Sequence, residues 1–346
     1  MSPPSSTVVA ELLAAYPVVL APMEDVTDAP YRALCRSLGA GLCVTEFIGA
    51  EQMIAGSKLA KRRAALPLGD TPTAIQIYGA DPDALVRAAE IAATMAPVFL
   101  DINCGCWVPR VAGRGAGAGW LRKPAAMIEM AARVGRAAGG LPVTVKTRIG
   151  WGPESDMPIL DLSRRLEDAG VAALTIHCRT AQMGHTGRAD WQWARRAREG
   201  VRIPVIVNGD IASADDVLRA LAETGCAGTM IGRAAIDDPW IFREARALLA
   251  GLPRLPRPSD TERLELFRRV MLENVAARGP QHGVTVTRRH LGLLGPELKP
   301  LLRPELFSTT DLQTCLDIIT RELDLAAGRA GHAATLDAPA PPALSA

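Results

Sequence analysis

Hydrophobic positions in this chain fall into short dense runs separated by longer amphipathic stretches. Eight runs are rich in β-branched and aliphatic residues: Val18–Met23, Leu42–Phe47, Thr73–Gly79, Phe99–Gly105, Val143–Arg148, Ala173–Arg179, Pro204–Asp210 and Gly228–Ala234. Each has the length and composition of a strand buried on both faces. The stretches between them, such as Pro82–Met95, Ala125–Ala138, Asp161–Ala169 and Ser213–Thr224, are rich in Ala and Leu at helical spacing. Asp81 and Ser213 stand where N-caps are needed. Strand followed by helix, eight times in about 230 residues, predicts an α/β fold of the (β/α)8 TIM-barrel type. The competing arrangement is an open doubly wound sheet.

The pattern changes after Gly251. Three prolines in Leu252–Pro258 mark a linker, and no strand pattern follows. Thr261–Ala277, Thr285–Leu294 and Thr310–Leu325 read as helices of a small C-terminal all-helical domain. The expected organisation is an N-terminal segment 1–16, a barrel 17–251, a linker 252–258, a helical domain 259–330 and a disordered Ala/Pro-rich tail 331–346.

Composition narrows the class. Only 4% of the 346 residues are aromatic while 48% are hydrophobic, so Ala, Val, Leu and Ile must fill the core. No run of 18 uncharged apolar residues suggests a membrane span, and the first residues carry no basic stretch of the secretory kind. Seven cysteines, an odd number in a long chain, read as reduced thiols of a cytoplasmic protein, one of them reactive. The net charge of +2 neither demands nor excludes a nucleic-acid partner. No His, Cys and Asp spacing suits zinc, and neither a Walker lysine loop nor a dinucleotide glycine motif is present.

In a barrel of this type function sits at the C-terminal strand ends. Those ends here are Pro22-Met23, Glu46, Gln76, Asn103 with Cys104 and Cys106, Lys146 with Arg148, His177 with Arg179, Asn208 with Asp210, and Gly232-Arg233. So many polar groups would cost desolvation unless they served one shared pocket. Asn208-Gly209-Asp210 and Gly232-Arg233 end the seventh and eighth strands, where barrels bind phosphate. Lys146 and His177, on adjacent strands, suit the electron-rich edge of a flavin, although a lysine there could equally form a Schiff base. Cys106 opens a glycine-rich loop expected to be mobile. Between Cys106 and Pro124 that loop carries Arg110, Arg114, Arg122 and Lys123 and no acid, a local +4.

The sequence resembles the tRNA-dihydrouridine synthase family (Dus), nearest its bacterial DusB-like branch. The resemblance runs from about Val18 to Leu325. It is carried by Ala21-Pro22-Met23 with Val26-Thr27-Asp28, Asp101-Ile102-Asn103-Cys104-Gly105-Cys106, Arg114 to Gly117, Val145 to Trp151, Leu174 to Thr180, Gly187 to Trp191, Asn208 to Ile211, and Met230 to Arg233 with Pro239 to Phe242. It implies an FMN-dependent barrel, recharged by NADPH, that reduces uridines in tRNA and uses the helical domain to grip the RNA. Pro22, Met23, Glu24 and Gln76 would line the flavin, and Lys146 and His177 would hold its ring edge. Asn208, Gly209, Asp210, Gly232 and Arg233 would cradle its phosphate and ribityl chain. Cys106 matches the proton donor, and Asn103, Arg148 and Arg179 would meet the substrate. No metal and no membrane are implied, and a monomer is expected.

The chain departs from the family pattern at three places. Trp107 stands where Pro follows the cysteine, Asp25 where Gly is usual, and Gly292-Leu293-Leu294 where an aromatic is common. The implied chemistry is consistent with the residues. Saturating the uracil C5–C6 bond takes a hydride, which a flavin supplies and no side chain can. It also takes a proton, and a cysteine near pKa 8.5 is mostly thiol at pH 7. The uridine must leave the RNA stack to reach a barrel mouth. Three other readings share some of these features: a flavin barrel acting on a free pyrimidine, a flavin-free lyase using Lys146, and a non-catalytic tRNA-binding protein. From Arg254 to Arg303 ten basic residues face five acidic ones, a net of +5, which favours a polyanionic partner.

Overall fold

The structure, a computed structural model, describes residues 5–152 and 157–336. Eight parallel strands carry the fold: β1 (Val18–Leu20), β2 (Leu42–Val44), β3 (Thr73–Tyr78), β4 (Leu100–Cys104), β5 (Val143–Arg148), β6 (Ala173–His177), β7 (Val205–Asn208) and β8 (Gly228–Ile231). β1 pairs with both β2 and β8, β2 with β3, and each later strand with the next. The ring is therefore closed, which excludes the open sheet. The second hydrophobic run breaks after Val44 and resumes as Ile48–Gly49, which pairs with the end of β3. At the break the Thr45 hydroxyl accepts a bond from the Gln76 amide, so the ladder is completed by a side chain.

Register sets the mouth. Lys146 lies opposite Asn103 and Thr175, and His177 opposite Arg148 and Asn208. The strand ends rich in polar groups therefore stand at a common level. Deeper, Val19, Leu42, Val44, Ala74, Phe99, Ala173, Ile206 and Met230 pack the core, as the aliphatic composition requires. The expected helices are present as Pro82–Ala93, Pro124–Ala137, Ile159–Asp168 and Ala214–Thr224, with Asp81 and Ser213 capping through their side chains.

Two segments of the barrel unit differ from expectation. Residues 5–15 form a helix whose Val9 and Leu13 are fully buried in the core. Gly228 leaves room for it, since a Cβ there would meet the Pro17 carbonyl at 2.8 Å and Leu13 at 3.1 Å. The glycine-rich loop is largely built in. It contains a short helix, Pro109–Ala112, and a 3-10 helix, Gly117–Arg122, and Trp120 donates its indole N–H to the Gly79 carbonyl at 2.9 Å. Gly117, at φ +55, lets the chain fold back so that the Ala118 amide bonds to the Cys106 carbonyl at 2.9 Å.

Internal packing divides the chain into two compact units, one of residues 1–235 and 239–255, the other of 236–238 and 256–346. The second is helical throughout its described part. Ser259 starts it with a reciprocal capping box to Glu262. The helices are Asp260–Arg278, Pro280–Thr287, Gly295–Ser308 and Leu312–Leu336, with a 3-10 turn at Arg288–Leu294. Gly295–Ser308 was not expected, because Pro300 and Pro304 within it read as breakers. The last helix continues through 331–336, placed in the tail by sequence; residues 337–346 lie outside the described residues. No helix among the described residues is long and apolar enough to cross a membrane.

One buried ion pair ties the first helix of the barrel to the loop before β3. Arg32, with no exposed surface, gives Asp70 two hydrogen bonds at 3.0 and 2.5 Å and donates to the carbonyls of Thr27 and Ala65. Removing one partner of such a pair strands the other charge. Asp70→Ala is expected to destabilise the barrel by about 3–5 kcal/mol in urea unfolding. A loss below about 1 kcal/mol, the size of an exposed pair, would mean that Arg32 is otherwise compensated.

Candidate functional site

A relay of buried hydrogen bonds runs along the mouth from β5 to Cys106. Thr144 and Gln76 both donate to the Asp101 carboxylate at 2.5 Å. Asn103 donates to the Gln76 carbonyl oxygen at 2.9 Å, and its own oxygen accepts the amides of Gly105 and Cys106 at 3.1 and 2.9 Å. Each side chain in the relay is buried. Gln76 and Asn103, expected to face flavin and substrate, are linked to each other and fix the backbone that carries Cys106.

Six of the seven cysteines are buried and Cys106 is half-buried. Burial pushes its thiol above the ordinary cysteine range, Glu24 adds to this, and a bond from Val108 with the charges of Arg148 and Lys146 only partly opposes it. Cys104 sits wholly inside the wall, and burial drives its thiol far higher.

Beyond the relay, Lys146 donates to Asn208 at 3.2 Å, and Asn208 donates to the Met230 carbonyl at 2.7 Å. Burial, then Arg148, lowers the Lys146 ammonium to about 8. His177 is held neutral by burial and the surrounding cations. Its Nε2 lies 3.4 Å from the Arg179 guanidinium, and a neutral imidazole keeps one N–H to offer. Gly209, at φ +113, abuts that ring: a Cβ would meet it at 2.9 Å and Ala189 at 2.8 Å.

Arg148 and Arg179, expected to meet the substrate, both bond the loops of the mouth. Arg148 is buried and donates to the carbonyls of Gly105, Thr180 and Gly184 at 2.8–2.9 Å. Arg179 donates to the carbonyls of Thr186 and Gly187 and makes bonds of 2.6 and 2.8 Å to Asp210. Both knit loops of the mouth together. Asp210, at φ +54, also accepts the Ala189 amide, so its carboxylate ties two loops together. A Cβ at Gly232 would stand 3.7 Å from Ala21 and 3.8 Å from the Met23 sulfur, and Arg233 begins a helix of five residues with 58% of its side chain exposed. Pro22 and Met23 are half-buried at the end of β1. Glu24, expected at the flavin, directs its carboxylate to Arg63 and Arg110.

Sequence reasoning missed His185. It lies on the loop after β6, its ring 5.8 Å from Trp107 edge-to-face and 6.1 Å from His177. Nothing but its place in the Gly184–Gly187 turn marked it. Gly184, at φ +56, is where Trp107 packs. Trp107, where the resemblance implies Pro, therefore has a partner across the mouth. Burial and four nearby cations lower His185 to about 4. Among the described residues no group of three or more His, Cys, Asp or Glu could hold a metal ion.

The mouth thus combines a protonated thiol, a tunable ammonium, a neutral imidazole donor and an exposed guanidinium. Residues 19–319 match the model of the dihydrouridine synthase (Dus) family. The chain belongs to the dihydrouridine synthase family. It is 35% identical over 279 residues to tRNA-dihydrouridine synthase B of Pseudomonas aeruginosa, covering 80% of this chain and 82% of that one. The tRNA-dihydrouridine synthase B of Xanthomonas campestris pv. campestris is 36% identical over 285 residues, with 80% and 82% covered. Among solved structures, a 2-naphthoyl-CoA reductase in complex with 2-naphthoyl-CoA superposes with a TM-score of 0.52 at 13% identity. It covers 68% of this chain and 50% of that one, and the likeness supports the barrel fold alone.

The electrostatics of this dihydrouridine synthase predict a direction for its acid stability. His177 and His185 stay neutral in the fold, whereas free imidazole ionises near 6.5. Between about pH 6.5 and 4 the unfolded chain therefore binds protons the folded chain refuses, and stability falls as pH drops. Melting temperature should decline across that window, and His185→Gln should decline less steeply. An unchanged slope in His185→Gln would show that the imidazole titrates normally in the fold.

Proposed function

We propose that this chain is a tRNA-dihydrouridine synthase that reduces the C5–C6 bond of uridines in tRNA, with FMN as its bound cofactor and NADPH as electron donor. The observation that carries the reading is Cys106. It is the one cysteine among the described residues that is not fully buried, it is held as a thiol, and a buried relay fixes its backbone at the barrel mouth.

The donor set fits a flavin. Lys146 and the N–H of His177 offer hydrogen bonds to an electron-rich ring edge, and Arg233 offers a cation to a phosphate. Met23 and Gly232 would flank the group where β1 and β8 meet. When bound, FMN supplies the hydride for uracil C6. Cys106 holds the proton for C5, and burial keeps that proton on sulfur at neutral pH. Asn103 orients the cysteine through its amide, while Arg148 and Arg179 hold the surrounding loops. The flipped uridine enters at the same mouth.

Two measurements test the assignment. Cys106→Ala is expected to fold, bind flavin and accept electrons from NADPH, while uridine reduction falls by about 10²–10⁴, the usual share of a general acid. Cys104→Ala, which removes a sulfur from the wall, should keep activity with modest loss of stability. Anaerobic single-turnover reoxidation of the flavin by tRNA reads the difference. A Cys106 variant at the wild-type rate beside a stalled Cys104 variant would reverse the choice of thiol.

Arg233→Ala should weaken flavin retention by about 1.5–3 kcal/mol, the worth of a hydrogen bond to a charged group. Titration of the apoprotein with FMN measures it. Unchanged affinity would remove the phosphate from Gly232-Arg233, and a colourless purified protein would revive the Schiff-base reading of Lys146.

A further inference from the structure

The outer part of the Cys106 loop is held from one side by an acidic cluster that includes Asp25, the residue that stands where the resemblance implies Gly. Its ends are pinned: the Cys106 amide to Asn103, and the Cys106 carbonyl to Ala118. Between them lies the short helix Pro109–Ala112, whose Arg110 reaches across the mouth to the Glu24 carboxylate. The other Glu24 oxygen lies 3.3 Å from Arg63. Arg63 is itself buried and gathered by Asp25 at 3.3 Å and by Glu46 at 3.2 Å. Glu46 in turn accepts the Asp25 amide at 2.6 Å, in a turn that puts Asp25 at φ +60. Asp25, a non-glycine residue in a left-handed conformation, thus takes part in the arrangement that presents Glu24 to the loop.

We propose that Glu24 and Arg110 form a latch that closes the segment between Cys106 and Ala118 over the thiol, with Arg63 fixing the acidic half. Glu24 is then a positioning residue acting through Arg110, and the latch sets how far the thiol is shielded from solvent between turnovers. The proposal rests on Cys106 as the reactive group of the site. It does not require that Cys106 be the acid, because shielding can be read without turnover.

The test is the rate of alkylation by iodoacetamide at fixed pH in the flavin-loaded protein, with the labelled cysteine located by peptide mapping. The other six cysteines are buried, which favours labelling at Cys106. Latch opening and simple electrostatics predict opposite signs for Arg110→Ala. That variant keeps the Glu24 carboxylate, which favours the unreactive thiol, and loses the cation that offsets it; electrostatics alone would slow alkylation. An opened latch speeds it, by about two- to fivefold for an exposed ion pair. Arg110→Lys should return the rate toward wild type. Raising the ionic strength should speed the wild type and leave Arg110→Ala unchanged. Alkylation of Arg110→Ala at or below the wild-type rate, or equal salt acceleration of both, would overturn the latch. Should Cys106→Ala still reduce uridine while the alkylation difference persists, the acid assignment fails and the latch stands.

Discussion

The mouth of this barrel is organised by a carboxylate that never reaches it. Asp101 is buried beneath the strand ends, with one oxygen taken by Thr144 and the other by Gln76. Burial raises its pKa above the usual carboxylate range, and those two donors pull the other way. Because both oxygens are committed, Gln76 has one orientation, Asn103 follows from Gln76, and the amide of Cys106 follows from Asn103. A half-satisfied chain of this kind would be costly in a dry wall, so its members are fixed together or not at all. The reactive sulfur thereby inherits the rigidity of two strands while standing on a loop.

The second organising factor is an excess of cation at the same mouth. Lys146, Arg148 and Arg179 act on both histidines and Arg233 on His185, and Asp210 is taken up by Arg179. Burial, and after it repulsion among these cations, lower Lys146 to about 8 and Arg148 to about 10. Such a field favours a ligand that brings negative charge, whether as phosphate or as an electron-rich ring, and keeps the imidazoles as neutral donors. The arginines deepest in this field are also the ones that bind loop carbonyls, so charge and architecture are supplied by the same side chains.

Much of this was legible in the sequence because it depends on periodicity and on strand ends. Eight aliphatic runs predicted eight strands, and Lys146, His177, Asn208 and Gly209 do converge. What was not legible depends on where a side chain turns. Spacing places Arg148 and Arg179 at the mouth, but only the structure shows their guanidinium groups bonded to loop carbonyls. Glu24 and Gln76 follow the same rule. The helix Gly295–Ser308 was hidden because its prolines are local breakers that tertiary packing overrides, with Leu298, Leu302 and Leu306 buried along one face. His185 was missed because it lies beyond its strand end, where no period applies.

The contact between Gly209 and His177 links two positions far apart in the chain. With a ring at 177, no side chain fits at 209, and the φ of +113 independently excludes one. A smaller residue at 177 would not lift the steric restriction, because the Ala189 methyl stands closer still, at 2.8 Å. Position 209 is therefore held to glycine three times over, by the ring, by the methyl and by the turn, and no single change elsewhere releases it.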